Sequence, residues 1–149
     1  MANRAQEAYL TQKILSADPL ELVRMLYAGA SESVETARAC LAMRDIRGRS
    51  SAVARSVEIL SELASALDHN QAPELCRNLA ALYDYMQRRL LEANFQQTEA
   101  PLSEVAGLLD TLSEAWKATA PVPVTPNHLA AWSIASGCVA EPALHGWSF

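Results

Sequence analysis

The sequence predicts an all-α protein, an antiparallel up-down four-helix bundle with an N-terminal cap segment and a C-terminal tail that could hold a short fifth helix. Apolar residues recur at three- and four-residue intervals through four segments between residues 18 and 120. That period is typical of helices with one buried face. Turn residues and prolines fall between these segments, and the connections are short, which makes sequential helices antiparallel neighbours.

Charge density, together with the helix start signal at residue 18, divides the chain into three parts. All 12 Lys and Arg residues, and every acid except Glu141, lie in residues 1–120. We therefore predict a cap segment at residues 1–17, a bundle domain at residues 18–120, and a proline-rich linker with an apolar tail at residues 121–149.

The first helix has a strong start signal at Asp18-Pro19-Leu20-Glu21. Asp18 can cap the helix, Pro19 suits the first helical position, and Glu21 can complete a capping box. The helix is predicted to run to about Met43. Because a helix-interior glycine costs about 1 kcal/mol against alanine, we expect a neighbouring element to approach closely at Gly29. The predicted buried face comprises Leu22, Met25, Leu26, Val34, Ala37 and Leu41.

The second helix is predicted from about Ile46 to Leu67, with Asp45 as its cap, and the fourth begins near Pro101. Both carry a continuous apolar stripe. The stripes are Val53, Val57, Ile59, Leu60, Leu63, Ala64 and Leu67 in the second helix, and Leu102, Val105, Leu109, Leu112 and Trp116 in the fourth.

The third helix, Pro73 to Asn94, carries two apolar stripes instead of one. The first stripe is Leu75, Leu79, Leu82 and Met86, and the second is Cys76, Tyr83 and Leu90. A surface helix needs only one stripe, so two indicate a helix with neighbours on two sides or with one side kept for a partner.

The two ends of the chain carry apolar residues on weakly patterned segments. Tyr9 and Ile14 precede the first helix, and Leu129 and Trp132 follow the proline-rich residues 121–126. The first segment is either a frayed terminus or a clip that lies in a groove, and the tail either docks or stays flexible.

Sequence motifs for catalysis or cofactor binding are missing. There is no glycine-rich phosphate loop, no HExxH motif, and no pair of closely spaced cysteines. Glu58 and Glu62, one helical turn apart, are expected to face solvent. The sequence thus predicts a protein that is not an enzyme and needs neither a cofactor nor a metal.

Charge and hydropathy also limit the partners. The net charge of −5 disfavours nucleic acid, and the basic cluster of Arg44, Arg47, Arg49 and Arg55 is expected to be a solvated corner. No run approaches the length of about 18 apolar residues that spans a bilayer, so no stable membrane insertion is expected. The default prediction is a cytoplasmic protein.

Three stretches of the sequence resemble the FliS family, the export chaperones for flagellin. The stretches are 17–22 with 25–27 and 29–30, then 59–63 with 67–68, and 79–94. Tyr9 and Trp116 also fit, so the resemblance covers residues 1–118. The family usually has an acid at Ala28, and it often has Gly-Asp at the first turn where this chain has Arg44-Asp45.

The resemblance implies a chaperone that binds the disordered C-terminal segment of flagellin, prevents premature polymerisation, and presents the subunit to the export gate. It also implies that no nucleotide or metal takes part. From the two stripes on the third helix and the stripe on the second helix we predict the groove-lining residues, with ordinary core packing as the alternative for each. They are Leu60, Leu63, Leu79, Tyr83, Met86 and Leu90. Tyr9 and Ile14, or Leu129 and Trp132, are predicted to cover this groove until flagellin arrives.

Other interpretations remain open on the sequence. The bundle could serve as an interaction module for another secreted or regulatory protein. It could hold a metal or an active site in its interior, although no polar ligands fall on facing stripes, or its helices could assemble as a coiled-coil oligomer. A monomer or a weak homodimer is expected.

Overall fold

The computed structural model describes residues 4–8 and 19–118. Residues 4–8 are helical. Residues 19–118 form four α-helices, which are α1 (Pro19–Ala42), α2 (Ile46–Ser65), α3 (Pro73–Gln96) and α4 (Ala100–Ala118). The predicted starts of α1, α2 and α3 match these bounds, and the other predicted bounds differ by one or two residues. The all-α bundle that the sequence predicts is confirmed.

The four helices pack in a closed ring in which α1 contacts α2 and α4, and α3 also contacts α2 and α4. Polar contacts show the antiparallel order. Arg24, near the start of α1, donates from Nη2 to the Trp116 carbonyl near the end of α4, at 3.3 Å. Arg38, near the end of α1, donates from Nε to Glu99, just before α4, at 2.6 Å. We call the end that holds residues 43–45 and 97–99 the upper end, and the opposite end the lower end.

The α1–α2 turn is short, and it caps both the end of α1 and the start of α2. Asp45 accepts a hydrogen bond at 3.0 Å from the amide of Gly48, as predicted for a cap of α2. Arg44 adopts a left-handed backbone conformation with φ 59°. The amides of Arg44 and Asp45 donate to the carbonyls of Leu41 and Cys40, which completes a Schellman motif at the end of α1.

A single aliphatic core fills the bundle, with three aromatic side chains towards its lower end. The largest buried side chains include Trp116, Tyr27 and Tyr83. Every predicted face contributes to the core, although Met25, Leu41, Val57, Ala64 and Leu112 are only partly buried. Leu75, predicted on a buried stripe, is 40% exposed because it lies in the first turn of α3, off the stripe that faces the core.

Gly29 does lie beside a neighbouring element, but the contact does not require glycine. A Cβ atom there would lie 3.5 Å from Cδ1 of Ile59, an ordinary van der Waals distance. A neighbouring element, α2, therefore does contact α1 at this point, as expected, but an alanine would also fit there.

Candidate partner-binding surface

The six residues predicted to line a groove lie in the core. Their exposed fractions run from 0% to 7%, and they belong to one continuous apolar cluster. The structure therefore agrees with the alternative interpretation, in which these residues pack in the core. Contact between any of them and a partner stays a prediction.

Tyr83 is held in the core by a buried polar cluster. Its hydroxyl shares a hydrogen bond with the hydroxyl of Tyr27, across the bundle from α3 to α1. The indole Nε1 of Trp116, on α4, donates to the same Tyr27 hydroxyl at 3.0 Å. Burial raises the pKa of both tyrosines, so their hydroxyls stay protonated at neutral pH. The cluster fixes three helices relative to one another.

The apolar surface nearest to a groove lies between α3 and α4. Leu82 of α3, with Leu108 and Leu112 of α4, is only partly buried against the core, and Leu75 is exposed. Leu75 and Leu82 are seven residues apart and Leu108 and Leu112 four apart, so each pair shares one helical face. We call these four residues the α3–α4 seam.

Polar contacts close the upper part of this seam. Glu104 of α4 accepts hydrogen bonds from Tyr85 at 2.6 Å and from Nε of Arg89 at 3.0 Å. Arg89 also pairs with Glu92, at 2.8 Å. The hydrogen bond from Tyr85, followed by that from Arg89, lowers the pKa of Glu104. These contacts show which flank of α3 faces α4.

The other flank of α3 faces α2. The side-chain amide of Gln87 donates to the Val57 carbonyl at 2.9 Å and to the Ser61 hydroxyl at 2.7 Å. Val57, Ala64 and Ala80 are partly buried along this flank. The partly buried side chains on this flank are smaller than the leucines of the α3–α4 seam.

The basic cluster near the first turn is not a uniformly solvated corner, and the expectation is wrong for Arg49. This side chain is 4% exposed. It donates from Nε to Oδ1 of Asn94 at 2.8 Å and from Nη2 to the Asn94 carbonyl at 3.2 Å. Arg49 falls on the core-facing side of α2, where it satisfies a carbonyl in the last turn of α3. Its role is therefore structural.

Several predicted positions lie outside the residues that the structure describes. They are the four groove-covering residues, Tyr9, Ile14, Leu129 and Trp132, together with the cap Asp18.

The described residues also bear on the expectations for metal ligands, cysteines, the Glu58–Glu62 pair and membrane spans. Within residues 4–8 and 19–118, no group of His, Cys, Asp and Glu could hold a metal ion. Cys40 and Cys76 are free and buried, and burial raises the pKa of both thiols. Of the two acids expected to face solvent, Glu58 is exposed and Glu62 only partly so. Partial desolvation, followed by the charge of Glu62, raises the pKa of Glu58. Among these residues, no helix is long and apolar enough to cross a membrane.

Sequence reasoning missed Leu108 and the contacts of Glu104. Leu108 directly precedes Leu109, a residue of the core stripe, so in the sequence Leu108 cannot be told apart from that stripe. The available signal was the four-residue spacing of Glu104, Leu108 and Leu112, which marks a flank of α4 and not its buried centre.

Fold and surface together define a small helical bundle of the binding type, with a half-buried apolar seam that can accept an amphipathic helix. Comparison with known proteins agrees with this class. The family model described as flagellar protein FliS matches residues 1–123. The chain belongs to the FliS family of flagellar secretion chaperones, whose role is not enzymatic.

Curated relatives are similar over most of their own length. The flagellar secretion chaperone FliS of Salmonella typhimurium is 38% identical over 109 residues, which cover 72% of this chain and 81% of that protein. FliS of Bacillus subtilis is 33% identical over 110 residues, covering 74% and 81%. The flagellar secretion chaperone FliSB of Pseudomonas aeruginosa is 31% identical over 111 residues, covering 74% and 88%.

Proposed function

We propose that this chain binds the disordered C-terminal segment of flagellin in the bacterial cytoplasm. Binding prevents premature polymerisation and supports secretion through the flagellar type III export apparatus, with the bundle presenting its client to the export gate. Membership of the FliS family carries the proposal, and the exposed apolar surface of the α3–α4 seam supports it. The bundle acts as a monomer or a weak homodimer and uses neither nucleotide nor metal.

The chemistry of the proposed complex is coupled folding on an apolar surface. A disordered amphipathic segment orders when its apolar face finds a complementary groove. Completing the burial of a half-buried leucine contributes about 1 kcal/mol, whereas ordering each backbone residue costs about 1–2 kcal/mol. The four seam leucines alone therefore cannot order a long helix. Apolar side chains of the client must contribute, and the contact must extend beyond the seam.

The six buried residues predicted for the groove have a place in this proposal. Leu79 and Met86 lie next to Leu82 on α3 and would form the floor of the groove. Leu60, Leu63, Tyr83 and Leu90 lie deeper and would reach the client only where the packing above them moves. Tyr9 and Ile14, which precede α1 in the chain, would cover apolar surface until the client displaces them.

The test is calorimetric titration of the whole chain with a peptide of about the last 50 residues of the host's flagellin, with circular dichroism before and after binding. Coupled folding predicts one-to-one binding, a negative heat-capacity change and a gain of helix. Leu75→Ser, on the exposed part of the seam, should weaken binding about tenfold, which corresponds to about 1.4 kcal/mol.

Leu91→Ser is the matched control, because Leu91 is an exposed leucine on the opposite flank of α3, 53% exposed. It should leave the affinity unchanged. Absence of heat and of added helix would refute flagellin as the client and favour a module for another secreted or regulatory protein. Equal weakening by both variants would show that the contact is not confined to the seam.

A further inference from the structure

Four large apolar side chains are exposed at the upper end of the bundle, away from the α3–α4 seam. Phe95 is 88% exposed, Met43 71%, Ile46 60% and Leu91 53%. Each is more exposed than Leu75, the most exposed residue of the seam. We call these four residues the upper patch.

Hydrogen bonds bring the helices that carry this patch together. The hydroxyl of Ser50, early in α2, donates to Oδ1 of Asn94, late in α3, at 3.3 Å. Ile46 lies one turn before Ser50, and Phe95 directly follows Asn94. Leu91 lies one turn before Phe95, so the two leave α3 on the same side. The patch is thus shared by the start of α2 and the end of α3, with Met43 in the turn that precedes α2.

The upper patch and the α3–α4 seam are separate surfaces. Gln87, Leu91 and Phe95 repeat every four residues, and Gln87 contacts α2. Tyr85 and Arg89, on the other flank, contact α4. A client helix lying along the seam therefore leaves the patch uncovered. Clustered exposed apolar side chains on a soluble bundle mark a surface that another segment covers.

Residues 127–135 of the same chain have the composition to cover the patch. They hold Leu129, Trp132 and Ile134 and no Asp, Glu, Lys or Arg, and Glu141 is the one residue of these four types after Lys117. Segments that stay disordered are poor in aromatics and rich in charge, the reverse of this composition. Trp132 also suits a site beside Arg44 and Arg47, which are exposed at the first turn, because a guanidinium stacks favourably on an indole ring.

The reach of the chain permits this contact. α4 ends at Ala118 at the lower end, and α3, with 24 residues, is about 36 Å long. Residues 119–132 span about 45 Å when extended, and the prolines at 121, 123 and 126 favour an extended connection. Trp132 can therefore return along the whole bundle to its upper end.

We propose that residues 127–135 dock on the upper patch of their own chain, with Leu129 and Trp132 contacting Ile46, Leu91 and Phe95. The sequence alone predicted that either Tyr9 and Ile14 or Leu129 and Trp132 cover the client groove. The upper patch offers more exposed apolar surface than the seam does, and docking there leaves the seam open. The proposal does not depend on flagellin being the client.

A spin label on Cys138 tests this contact in the full chain. Cys40 and Cys76 are buried, so the reagent is expected to modify Cys138, which mass spectrometry verifies. The label lies six positions after Trp132 in the sequence. We expect the label to broaden the amide signals of residues 43–48 and 90–96 in a magnetic resonance spectrum, and reduction of the label to restore them.

Two variants and one mixing experiment make the result decisive. Phe95→Ser should abolish the broadening without loss of stability, since the side chain is exposed, whereas Leu75→Ser on the seam should leave it intact. Broadening of residues 104–112, the part of α4 beside the seam, in place of the upper patch would overturn the proposal. The absence of any broadening would also overturn it. A mixture of spin-labelled chain and isotope-labelled chain should show no broadening. Broadening in this mixture would identify a second copy of the chain as the occupant of the patch and would also overturn the proposal.

Discussion

Arg44 occupies a position that favours glycine. Its φ of 59° lies in the left-handed region, where a side chain with a Cβ atom costs roughly 1–2 kcal/mol. The Schellman motif that ends α1 imposes this conformation, because the amides of Arg44 and Asp45 must turn back to the carbonyls of Leu41 and Cys40.

Arg44→Gly is expected to raise the free energy of unfolding by about 1 kcal/mol, because glycine adopts the left-handed conformation without steric strain. Urea denaturation followed by circular dichroism measures the change. Arg44→Ala is the control, since it removes the charge but keeps the Cβ atom, and it should give no gain. Equal stabilisation by both variants would attribute the effect to charge and contradict the conformational argument.

The hydroxyl of Tyr27 is the centre of the buried polar cluster. Tyr27→Phe leaves both the Trp116 indole N–H and the Tyr83 hydroxyl without their partner. Each unsatisfied buried group costs about 1–3 kcal/mol, so we expect a loss of about 3 kcal/mol. Tyr83→Phe leaves the contact between Trp116 and Tyr27 in place and should cost about 1 kcal/mol.

A double-mutant cycle in urea checks this assignment. If the two hydroxyls act as one cluster, Tyr27→Phe and Tyr83→Phe together should cost less than the sum of the single losses. Strict additivity, or a larger loss from Tyr83→Phe than from Tyr27→Phe, would show that Tyr27 is not the central member.

Gly48 and Gly107, both within helices, differ in what an added Cβ atom would contact. On α4 a Cβ atom at Gly107 would meet nothing within 4 Å, whereas on α2 a Cβ atom at Gly48 would lie 2.9 Å from Cγ of Asp45 and from Sγ of Cys40. Gly107→Ala should therefore stabilise the protein by about 1 kcal/mol. Gly48→Ala should destabilise it by about 1 kcal/mol, because it displaces the cap of α2.

Thermal and urea denaturation of both glycine variants give the comparison. The two substitutions make the same chemical change in helices of similar length, so each is the control for the other. A loss of stability in Gly107→Ala would mean that another part of the chain contacts this face of α4.

The helices themselves could be predicted because their start signals and their spacing are local. Asp45 caps α2 and Pro73 begins α3, as the sequence indicates. The exposure of each stripe could not be predicted in the same way. Leu75 and Leu79 fit one helical period, yet only Leu79 is buried, because the rotation of α3 depends on its packing against two neighbours.

The same limit applies to the candidate surface. From the sequence, Tyr83 is interpreted as a groove residue because it lies on the second stripe of the third helix. Its hydroxyl instead shares a hydrogen bond with Tyr27, 56 positions away in the sequence. Arg49 reads as solvated because charged residues usually are, and its partner Asn94 lies 45 positions away. Long-range pairs of this kind do not appear in local periodicity.

At the scale of the whole molecule, the buried ionisable groups set the response to alkaline pH. Burial raises the pKa of Tyr27 and Tyr83 above their ordinary value of 10.0, and the pKa of Cys40 and Cys76 above 9.0. For each group the unfolded chain loses its proton at a lower pH than the folded chain. The stability from these groups is therefore complete below their ordinary pKa values and is lost as pH rises above them.

We expect the free energy of unfolding to fall in two stages, beginning near pH 9 from the thiols and steepening near pH 10 from the tyrosines. Urea denaturation at intervals from about pH 8 to about pH 11 measures the profile. In the variant that combines Tyr27→Phe with Tyr83→Phe, the second stage should disappear while the first remains. An unchanged second stage in that variant would refute the assignment and transfer the alkaline transition to exposed groups, of which Tyr85, hydrogen-bonded to Glu104 with a raised pKa, is the first to substitute.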